Sequence, residues 1–435
     1  MRIHRLSLAA LCAVSLVLTG CSKSGSNNGS GSAQLRILNA FSEASALNVT
    51  VASTQIASAL PFQGLTQYAN ITSGTPTFTV GVTGASTTLI NTTYNVGSGG
   101  KYTYVVFGPL TGVGAILGND AFNDPGNGFF SLRVVNAAPG SSAVDVYLTP
   151  PGADISATAP SLGNISYGVT STFAPISVGT GFEIRVTPTG TKEVIFDSTP
   201  KTFAEHSAND LVVFGKGSGK LVNVALLSHD SAGTGTVVDN LLAQFKVINA
   251  SQVPSPLNVF VDSTLVLSNI PYTGVSNYQK TAAGTHSISI EATSTPGASL
   301  LTLSQTLAPA TDTSIALVGT AGALAALVLH DDNLPPPSGT AGVRIVNAAA
   351  GSAAFDVFVN FSKQVSSLAA NSASPYLNFN AAANTGTGYE FDFNVTGTTT
   401  AVLKLTGIVL TAGHRYTIYI AGPSAAPQGI VTQDF

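Results

Sequence analysis

The chain has 435 residues, of which only 9% are charged, and its formal net charge is −4. Its 17 lysines and arginines form no basic run, and nucleic-acid binding requires clustered basic side chains that neutralise phosphates. The 44 glycines and 22 prolines supply many turns. The composition therefore excludes a nucleic-acid-binding protein and favours short elements separated by turns.

The N-terminus has the pattern of a secretory signal. Arg2 and Arg5 precede an apolar stretch, residues 6–18, which is shorter than the roughly 20 residues that span a bilayer as a helix. Residues 18–21 read Leu-Thr-Gly-Cys, which resembles the lipobox of bacterial lipoproteins. The resemblance implies that residues 1–20 are a lipoprotein signal peptide that is removed, and that Cys21 is acylated, with palmitate among the expected chains. The alternative is an ordinary signal peptide with a chance cysteine.

The segment after the signal is predicted to be a flexible, disordered tether. Residues 21–33 are mostly serine, glycine and asparagine and contain almost nothing that can be buried. Ser22 stands where an aspartate would favour inner-membrane retention in enterobacteria-like lipoproteins, so the resemblance implies an outer-membrane protein, either periplasmic or surface-exposed. The only other cysteine is Cys12, so the mature protein is expected to have no disulfide and no cysteine nucleophile.

One unit of about a hundred residues is repeated four times. The signature R-I-L-N-A at 36–40 returns as R-V-V-N-A, K-V-I-N-A and R-I-V-N-A at 133–137, 246–250 and 344–348. The predicted domains are 34–122, 129–231, 241–333 and 340–435. The segments between them are rich in turn residues, and the glycine-rich second one, residues 232–236, is expected to bend more easily than the triple-proline third.

The apolar residues within each unit recur with period two, which is typical of strands. The runs are short, rich in β-branched and aromatic residues, and bounded by Gly, Pro, Asn or Ser. Roughly seven such runs occur per unit, and this density is typical of a small sandwich. The sequence predicts an all-β protein of four tandem β-sandwich domains, immunoglobulin-like or transthyretin-like.

A basic residue of each signature lies twelve positions before a polar residue of the next strand. We predict that the two strands form an antiparallel hairpin in which these residues face each other as a structural pair, because the same register sets apolar residues opposite apolar ones. The predicted pairs are Arg36 with Asn48, Arg133 with Asp145, Lys246 with Asn258, and Arg344 with Asp356. A ligand site is the alternative. The signature asparagine ends the strand, where its side chain is expected to bond local backbone groups.

The signature and the strand pattern that follows it, R-[IV]-[LVI]-N-A and [VLF]-[DN]-V-x-[VL], resemble a bacterial family of secreted and lipid-anchored domains. The family is known only as a domain of unknown function, numbered 4397. The resemblance implies an extracytoplasmic β-sandwich and no established reaction. Unit 1 has Phe41-Ser42-Glu43 where other units have Ala-Pro-Gly or similar residues, which argues against one strict ligand motif in all four units.

Motifs that carry chemistry are weak in this sequence. His229-Asp230 and His330-Asp331 stand at equivalent unit ends, but without the spacing of a metal-binding motif, so no metal, cofactor or catalytic residue is predicted. The loop G-K-G-S-G-K at 215–220 lacks the spacing of a phosphate-binding loop and is expected to be a hairpin turn. Tyr147, Phe260 and Phe358 share a face of the second strand and form a candidate binding strip if they are exposed.

The sequence therefore predicts a non-enzymatic protein of the cell envelope, anchored to the membrane through lipid on Cys21. The four units are expected to act as a spacer or as an adhesion or binding module, with an envelope protein or polysaccharide as the candidate partner. A carbohydrate- or polymer-binding accessory lipoprotein is the alternative, and an envelope hydrolase is a more distant one.

Overall fold

The computed structural model describes residues 31–349, 351–381, 386–423 and 426–435. Cys21, the predicted signal peptide and most of the predicted tether lie outside the described residues. Within the described ranges the regular structure consists of strands and short 3-10 turns, and no helix there is long and apolar enough to cross a membrane.

The first two units contain the following elements. Unit 1 consists of β1 (Ser32–Asn39), β2 (Ala46–Val51), β3 (Thr54–Pro61), β4 (Ala69–Thr72), β5 (Thr77–Val82), β6 (Thr88–Thr93), β7 (Lys101–Phe107), a 3-10 turn (Leu110–Gly112) and β8 (Gly114–Asn119). Unit 2 consists of β9 (Phe129–Ala137), β10 (Val144–Thr149), β11 (Leu162–Ile165), β12 (Val169–Thr170), β13 (Ala174–Ser177), β14 (Glu183–Pro188), β15 (Phe196–Asp197), β16 (Ala208–Gly215), β17 (Val222–Ser228) and β18 (Gly235–Val238).

The last two units repeat this order. Unit 3 consists of β19 (Leu242–Asn249), β20 (Leu257–Val261), β21 (Thr264–Ile270), β22 (Gln279–Ala282), β23 (Gly284–Ala292), β24 (Ser299–Leu307), β25 (Asp312–Thr320) and β26 (Ala323–Asp331). Unit 4 consists of β27 (Thr340–Asn347), β28 (Phe355–Val359), β29 (Ser362–Leu368), β30 (Ser372–Ala373), β31 (Leu377–Asn380), β32 (Tyr389–Val395), β33 (Ala401–Ile408), β34 (Arg415–Ala421) and β35 (Gln428–Gln433).

Each unit is a sandwich of two sheets with one shared topology. In unit 1 the sheets have the orders β4-β1-β7-β8 and β3-β2-β5-β6, and the corresponding strands of the other units follow the same plan. The signature strand β1 runs parallel to β7, whereas its other neighbour, β4, is antiparallel. We call the sheet that contains the signature strand the inner sheet, and the other the outer sheet. The prediction of an all-β protein of four tandem sandwiches is confirmed.

The signature strand is buried on both faces. In β1, Leu35 and Ile37 pack into the core of their own sandwich against Leu47 and Val49 of the outer sheet. The alternate residues, among them Leu38, point away from that core and pack against unit 2. The sequence of a strand that is buried on both faces is mostly a continuous run of apolar residues, and the signature strands follow this pattern around their buried cation and asparagine.

The inner sheets of neighbouring units pack face to face. One cluster joins Leu38 and Val105 of unit 1 to Val135 and Val212 of unit 2, all at most 2% exposed. A second cluster joins unit 3 to unit 4 through the corresponding residues, which include Ile248, Ala316, Val346 and Tyr419. The protein therefore contains two double sandwiches, units 1 with 2 and units 3 with 4, which we call the first and second pair.

Two expectations about local structure are wrong. The signature strand and the strand after it do not form a hairpin, because β1 pairs with β4 and β7 while β2 pairs with β3 and β5 in the other sheet. The glycine-rich segment at 232–236 is not a free connector either, because β18 begins at Gly235 and pairs with β17. The hairpin-turn prediction for residues 215–220 is confirmed, since the loop joins the antiparallel strands β16 and β17.

Candidate functional site

The side chain of each basic signature residue bonds to the partner unit. It does not face the next strand of its own unit. Arg36 is fully buried, and its Nη1 donates to the carbonyl oxygen of Ser228 in unit 2 at 2.6 Å. Its Nε donates to the hydroxyl of Thr103, the residue beside it on β7, at 2.8 Å. Among the described residues, Nη2 of Arg36 has no hydrogen-bond acceptor.

Arg133 of unit 2 makes the reciprocal contacts with unit 1. Its Nη1 donates to the carbonyl oxygen of Asn119 at 2.7 Å, and its Nη2 lies 3.3 Å from the carboxylate of Asp120. The guanidinium also forms a bidentate ion pair with Asp210 of its own unit, with both bonds at 2.7 Å. The Arg133 and Asp210 side chains are 8% and 1% exposed, so this is a buried ion pair.

The second pair repeats this reciprocity. The ammonium of Lys246 in unit 3 lies 2.6 Å from the carboxylate of Asp434 in unit 4 and donates to the carbonyl oxygen of Gln433. Arg344 of unit 4 donates to the carbonyl oxygen of His330 at 2.8 Å and pairs with the carboxylate of Asp331 in unit 3. The end of each unit thus receives the signature cation of its partner.

An aromatic ring covers each signature cation. The cation lies 4.5–5.0 Å from the ring centroid in all four units, over Tyr68, Phe173, Tyr278 and Tyr376 in order. The three tyrosines donate their hydroxyls to the unit-end carboxylates of Asp120, Asp331 and Asp434. Burial raises the pKa of each tyrosine, and the neighbouring carboxylates raise it further, so the hydroxyls remain donors.

In unit 2 the buried carboxylate lies on a strand of the inner sheet, and a histidine occupies the unit end. Its unit end has His229 where the other units have Asp120, Asp331 and Asp434. Its strand β16 has Asp210 where the equivalent strands have Thr103, Ser314 and Thr417 beside the signature cation. The ring over the cation is Phe173, which lacks the hydroxyl that would donate to a unit-end carboxylate. The carboxylate has therefore moved from the unit end into the strand, and each pair keeps two buried cations against two buried carboxylates.

The pKa values follow from this balance of charge and burial. Burial by itself would raise the pKa of Asp210, but the His229 ring and the Arg133 guanidinium outweigh burial and hold that pKa below its usual value. The pKa of Asp331 is raised, first by burial and then by the Asp434 carboxylate. Burial would lower the pKa of Arg344, but the surrounding acidic groups, first Asp331 and then Tyr376, Tyr419 and Asp434, together more than compensate and raise that pKa.

Three side chains of the first pair have the composition of a metal site. Asp120, Asp210 and His229 each offer one ligand atom, and these atoms lie within 4.8 Å of one another. Nε2 of His229 is 3.1 Å from Asp210 and has no well-aligned partner among the described residues. The guanidinium of Arg133 contacts both carboxylates, however, and a divalent cation there would be repelled at close range. The arrangement fits an ion-pair network better than a metal site.

The signature asparagine joins the two sheets of each sandwich. Nδ2 of Asn39 donates to the carbonyl oxygen of Leu60 on β3 at 3.0 Å, while its Oδ1 accepts from the backbone N–H of Phe41. The other signature asparagines make the same pair of bonds, namely Asn136, Asn249 and Asn347. The predicted local backbone bond is therefore present, and a bond to the outer sheet, which the sequence did not indicate, accompanies it.

The polar residues predicted as partners of the signature cations have another role. Asn48 lies on the outer sheet, and its Oδ1 accepts from the backbone N–H of Ala59 at 2.8 Å, where β3 bulges with a φ of 48°. Asp145, Asn258 and Asp356 make the equivalent bond to Asn164, Asn269 and Ser367, which also have positive φ. Each of these side chains satisfies a backbone donor that the bulge leaves unpaired. The predicted cross-strand pairs are wrong, and an Asp145→Arg change is not expected to rescue Arg133→Asp.

The candidate binding strip is not one continuous exposed surface. Tyr147 is only 2% exposed, because Lys192 covers its ring at 4.6 Å and also bonds its hydroxyl. Phe260 and Phe358 are half-buried, and Lys363 lies over the ring of Phe358. Since each ring sits on the outer sheet of a different unit, the three do not form the aligned aromatic surface that a common ligand would need.

The contacts of the unit-end acids were not predicted from the sequence. An aspartate or histidine recurs near the end of each unit, and the three aspartates, Asp120, Asp331 and Asp434, contact the signature cation of the partner unit. The concerted exchange in unit 2, at positions 210, 229 and 173, is visible in the printed sequence. It can be recognised only after the strands have been aligned in the sheet.

A family model matches residues 33–147, 243–352 and 341–435, which is more than half of the chain. The protein belongs to the family Domain of unknown function (DUF4397). The first DUF4397 match runs from β1 of unit 1 into β10 of unit 2, so it contains the Arg36 and Arg133 signatures together. No curated protein matches the chain.

Two solved structures are similar to parts of this DUF4397 protein. One is CBMbc (family CBM26) from Eubacterium rectale Amy13K in complex with maltoheptaose, with 14% identity, 42% of this chain and 92% of that chain covered, and a TM-score of 0.15. The other is the Bacillus anthracis TIE protein, with 10% identity, 86% of this chain and 65% of that chain covered, and a TM-score of 0.15. Neither likeness is close enough to indicate a ligand.

Proposed function

We propose that this protein is a non-enzymatic lipoprotein of the bacterial cell envelope, in which two rigid double sandwiches act as a spacer that presents a binding or adhesion surface away from the membrane. The observation that supports it best is the reciprocal burial of signature cations at the partner's unit end. A chain of independent domains would not need buried cations that bond to the neighbouring unit.

The junction between the two pairs also supports a stiff array. Lys216 of unit 2 and Asp312 of unit 3 form an ion pair in which the side chains are 3% and 1% exposed. Burial lowers the pKa of Lys216 and raises the pKa of Asp312, as desolvation does for each sign of charge. Only the short segment 239–241 separates β18 from β19, so this junction has little freedom to bend.

Small-angle scattering tests the stiffness. We would insert a flexible Gly-Ser segment into the connector between Asn123 and Gly128, in wild type and in an Arg133→Asp background. If the paired faces hold the units together, the insertion leaves the maximum dimension of the wild-type chain unchanged. The same insertion should extend the Arg133→Asp protein, in which the pairing is weakened. Extension of both proteins to the same degree would contradict the rigid-spacer proposal.

Labelling with radioactive palmitate tests the anchor. Cys21→Ser should abolish labelling and release the protein from the outer-membrane fraction, whereas Cys12→Ser is the matched control and should retain both. An unlabelled wild-type protein would contradict anchoring by lipid. The non-enzymatic assignment fails if purified protein hydrolyses any member of an ester, peptide and glycoside panel and one substitution abolishes that turnover.

A further inference from the structure

A polar cleft lies where unit 2 meets the second pair. It has a volume of about 690 Å³, which is within the range of small-molecule sites. Its walls come from the β16–β17 loop of unit 2, from the segment before β22 of unit 3, and from the end of β35 in unit 4. The polar residues of its lining include Ser218, Lys220, Asn277, Lys280 and Glu193.

The cleft contains more positive than negative charge, although the chain as a whole is acidic. Three lysines line it, and one of them, Lys246, is already neutralised by Asp434. The other two, Lys220 and Lys280, share the single carboxylate of Glu193, at 3.2 and 3.5 Å. One ammonium charge is therefore left without a matching carboxylate in the cleft.

The loop that carries Lys220 is held in place. Gln244 of unit 3 donates to the carbonyl oxygen of Ser218 at 2.8 Å, and the buried Lys216–Asp312 pair fixes the start of the loop. Gly219 has a φ of 91°, and a side chain there would collide with Gln244, so only glycine fits. A site built on a fixed loop loses little conformational freedom when a ligand binds.

We infer that this cleft binds an anionic saccharide, whose carboxylate contacts Lys220 and Lys280 and whose hydroxyls meet Ser218 and Asn277. Two ammonium groups that share one carboxylate favour an added anion. The hydroxyl and amide groups of the lining suit a polar ring better than an apolar ligand. Lys280 is held at the wall by its bond to the carbonyl oxygen of Val194 at 2.7 Å, so its ammonium has a defined position. This inference goes beyond the spacer function and does not depend on it.

Calorimetric titration of the full chain with trigalacturonate tests the inference at low ionic strength. The neutral methyl ester of the same trisaccharide and inorganic phosphate are the comparison ligands. We expect trigalacturonate to bind, the ester not to bind, and phosphate to bind much more weakly. No binding of trigalacturonate, equal binding of the ester, or equal binding of phosphate would each overturn the inference.

Substitutions locate the site. Lys220→Gln and Lys280→Gln should each weaken trigalacturonate binding about tenfold, the loss of one charge-assisted hydrogen bond. Glu193→Gln should strengthen binding, because it removes the competing carboxylate. Lys201→Gln, a lysine of unit 2 outside the cleft lining, is the control and should bind like wild type. Lys220 is 67% exposed, so its substitution tests binding without a folding defect. Unchanged affinity in both lysine variants, or weaker binding in Glu193→Gln, would refute the site.

Discussion

The exchanged charges of unit 2 give the sharpest test of the paired architecture. Asp210→Thr and His229→Asp together would restore to unit 2 the arrangement of the other units, with a hydroxyl beside the cation and a carboxylate at the unit end. The new carboxylate would lie near Arg36, whose Nη2 has no acceptor among the described residues. A threonine at 210 would lie beside Arg133 on the sheet as Thr103 lies beside Arg36, where the bond is 2.8 Å. The double variant should therefore be close to wild type in stability.

Each single variant should be destabilised. Asp210→Thr removes two charge-assisted bonds of 2.7 Å and leaves the buried guanidinium of Arg133 with Asp120 at 3.3 Å. Breaking a buried ion pair on one side destabilises by about 3–5 kcal/mol, and we expect the lower end because Asp120 remains. His229→Asp adds a third buried carboxylate beside Asp120 and Asp210, although only two guanidiniums, those of Arg36 and Arg133, are present. This variant should destabilise the first pair by about 1–3 kcal/mol. The double variant should lie within about 1 kcal/mol of wild type, a favourable coupling of at least about 3 kcal/mol.

Native-state hydrogen exchange at the amides of β9 and β16 measures the opening free energy of this pair in the whole chain. A four-unit chain does not unfold in one step, so a single melting temperature would not isolate it. The mirror exchange in the second pair, Ser314→Asp with Asp331→His, is the matched control and should show the same coupling in β25. If the losses of the two single variants simply add within about 0.5 kcal/mol, positions 210 and 229 do not share one charge and the reasoning is wrong.

Three further predictions concern other parts of the molecule. Lys216→Met should destabilise the junction between the pairs by about 3–5 kcal/mol, because it leaves Asp312 buried without its partner. Lys216→Met with Asp312→Leu should recover most of that loss, as measured by hydrogen exchange at the amides of β16 and β25. Burial and the Glu183 carboxylate raise the pKa of Asp197 to about 7. The folded state therefore holds this proton more tightly than the unfolded chain, so unit 2 should lose stability as pH rises between about 4 and 7. The opening free energy of β14, measured by hydrogen exchange across that pH range, should depend less on pH in Asp197→Asn, and an unchanged pH dependence would contradict the assignment. Asn249→Ala should destabilise unit 3 by about 1–3 kcal/mol, since it removes the bond that Nδ2 of Asn249 donates to the buried carbonyl oxygen of Ile270 in the other sheet, and exchange at β19 should report the loss while β9 stays unchanged.

The repeat and the strand class were predictable from the sequence because they depend on local patterns. Period-two alternation and frequent turn residues determine strands whatever their partners are, and four similar segments must fold alike. The role of Asn39 and its equivalents was partly predictable for the same reason, since the bond to the backbone two residues on is local. The lipobox at Cys21 remains a sequence prediction, because it lies outside the described residues.

The pairing of strands and units depended on the tertiary structure. A register that sets Arg36 opposite Asn48 satisfies local alternation, but the structure places the two residues in different sheets, because β1 pairs in parallel with β7, which is distant in sequence. The same alternation also leaves open whether Leu38 faces water or a second sheet. Period two assigns residues to two faces of a strand, and only the packing of whole sheets decides what covers each face. That packing buries Arg36 and Arg133 against each other's units and turns four repeats into two pairs.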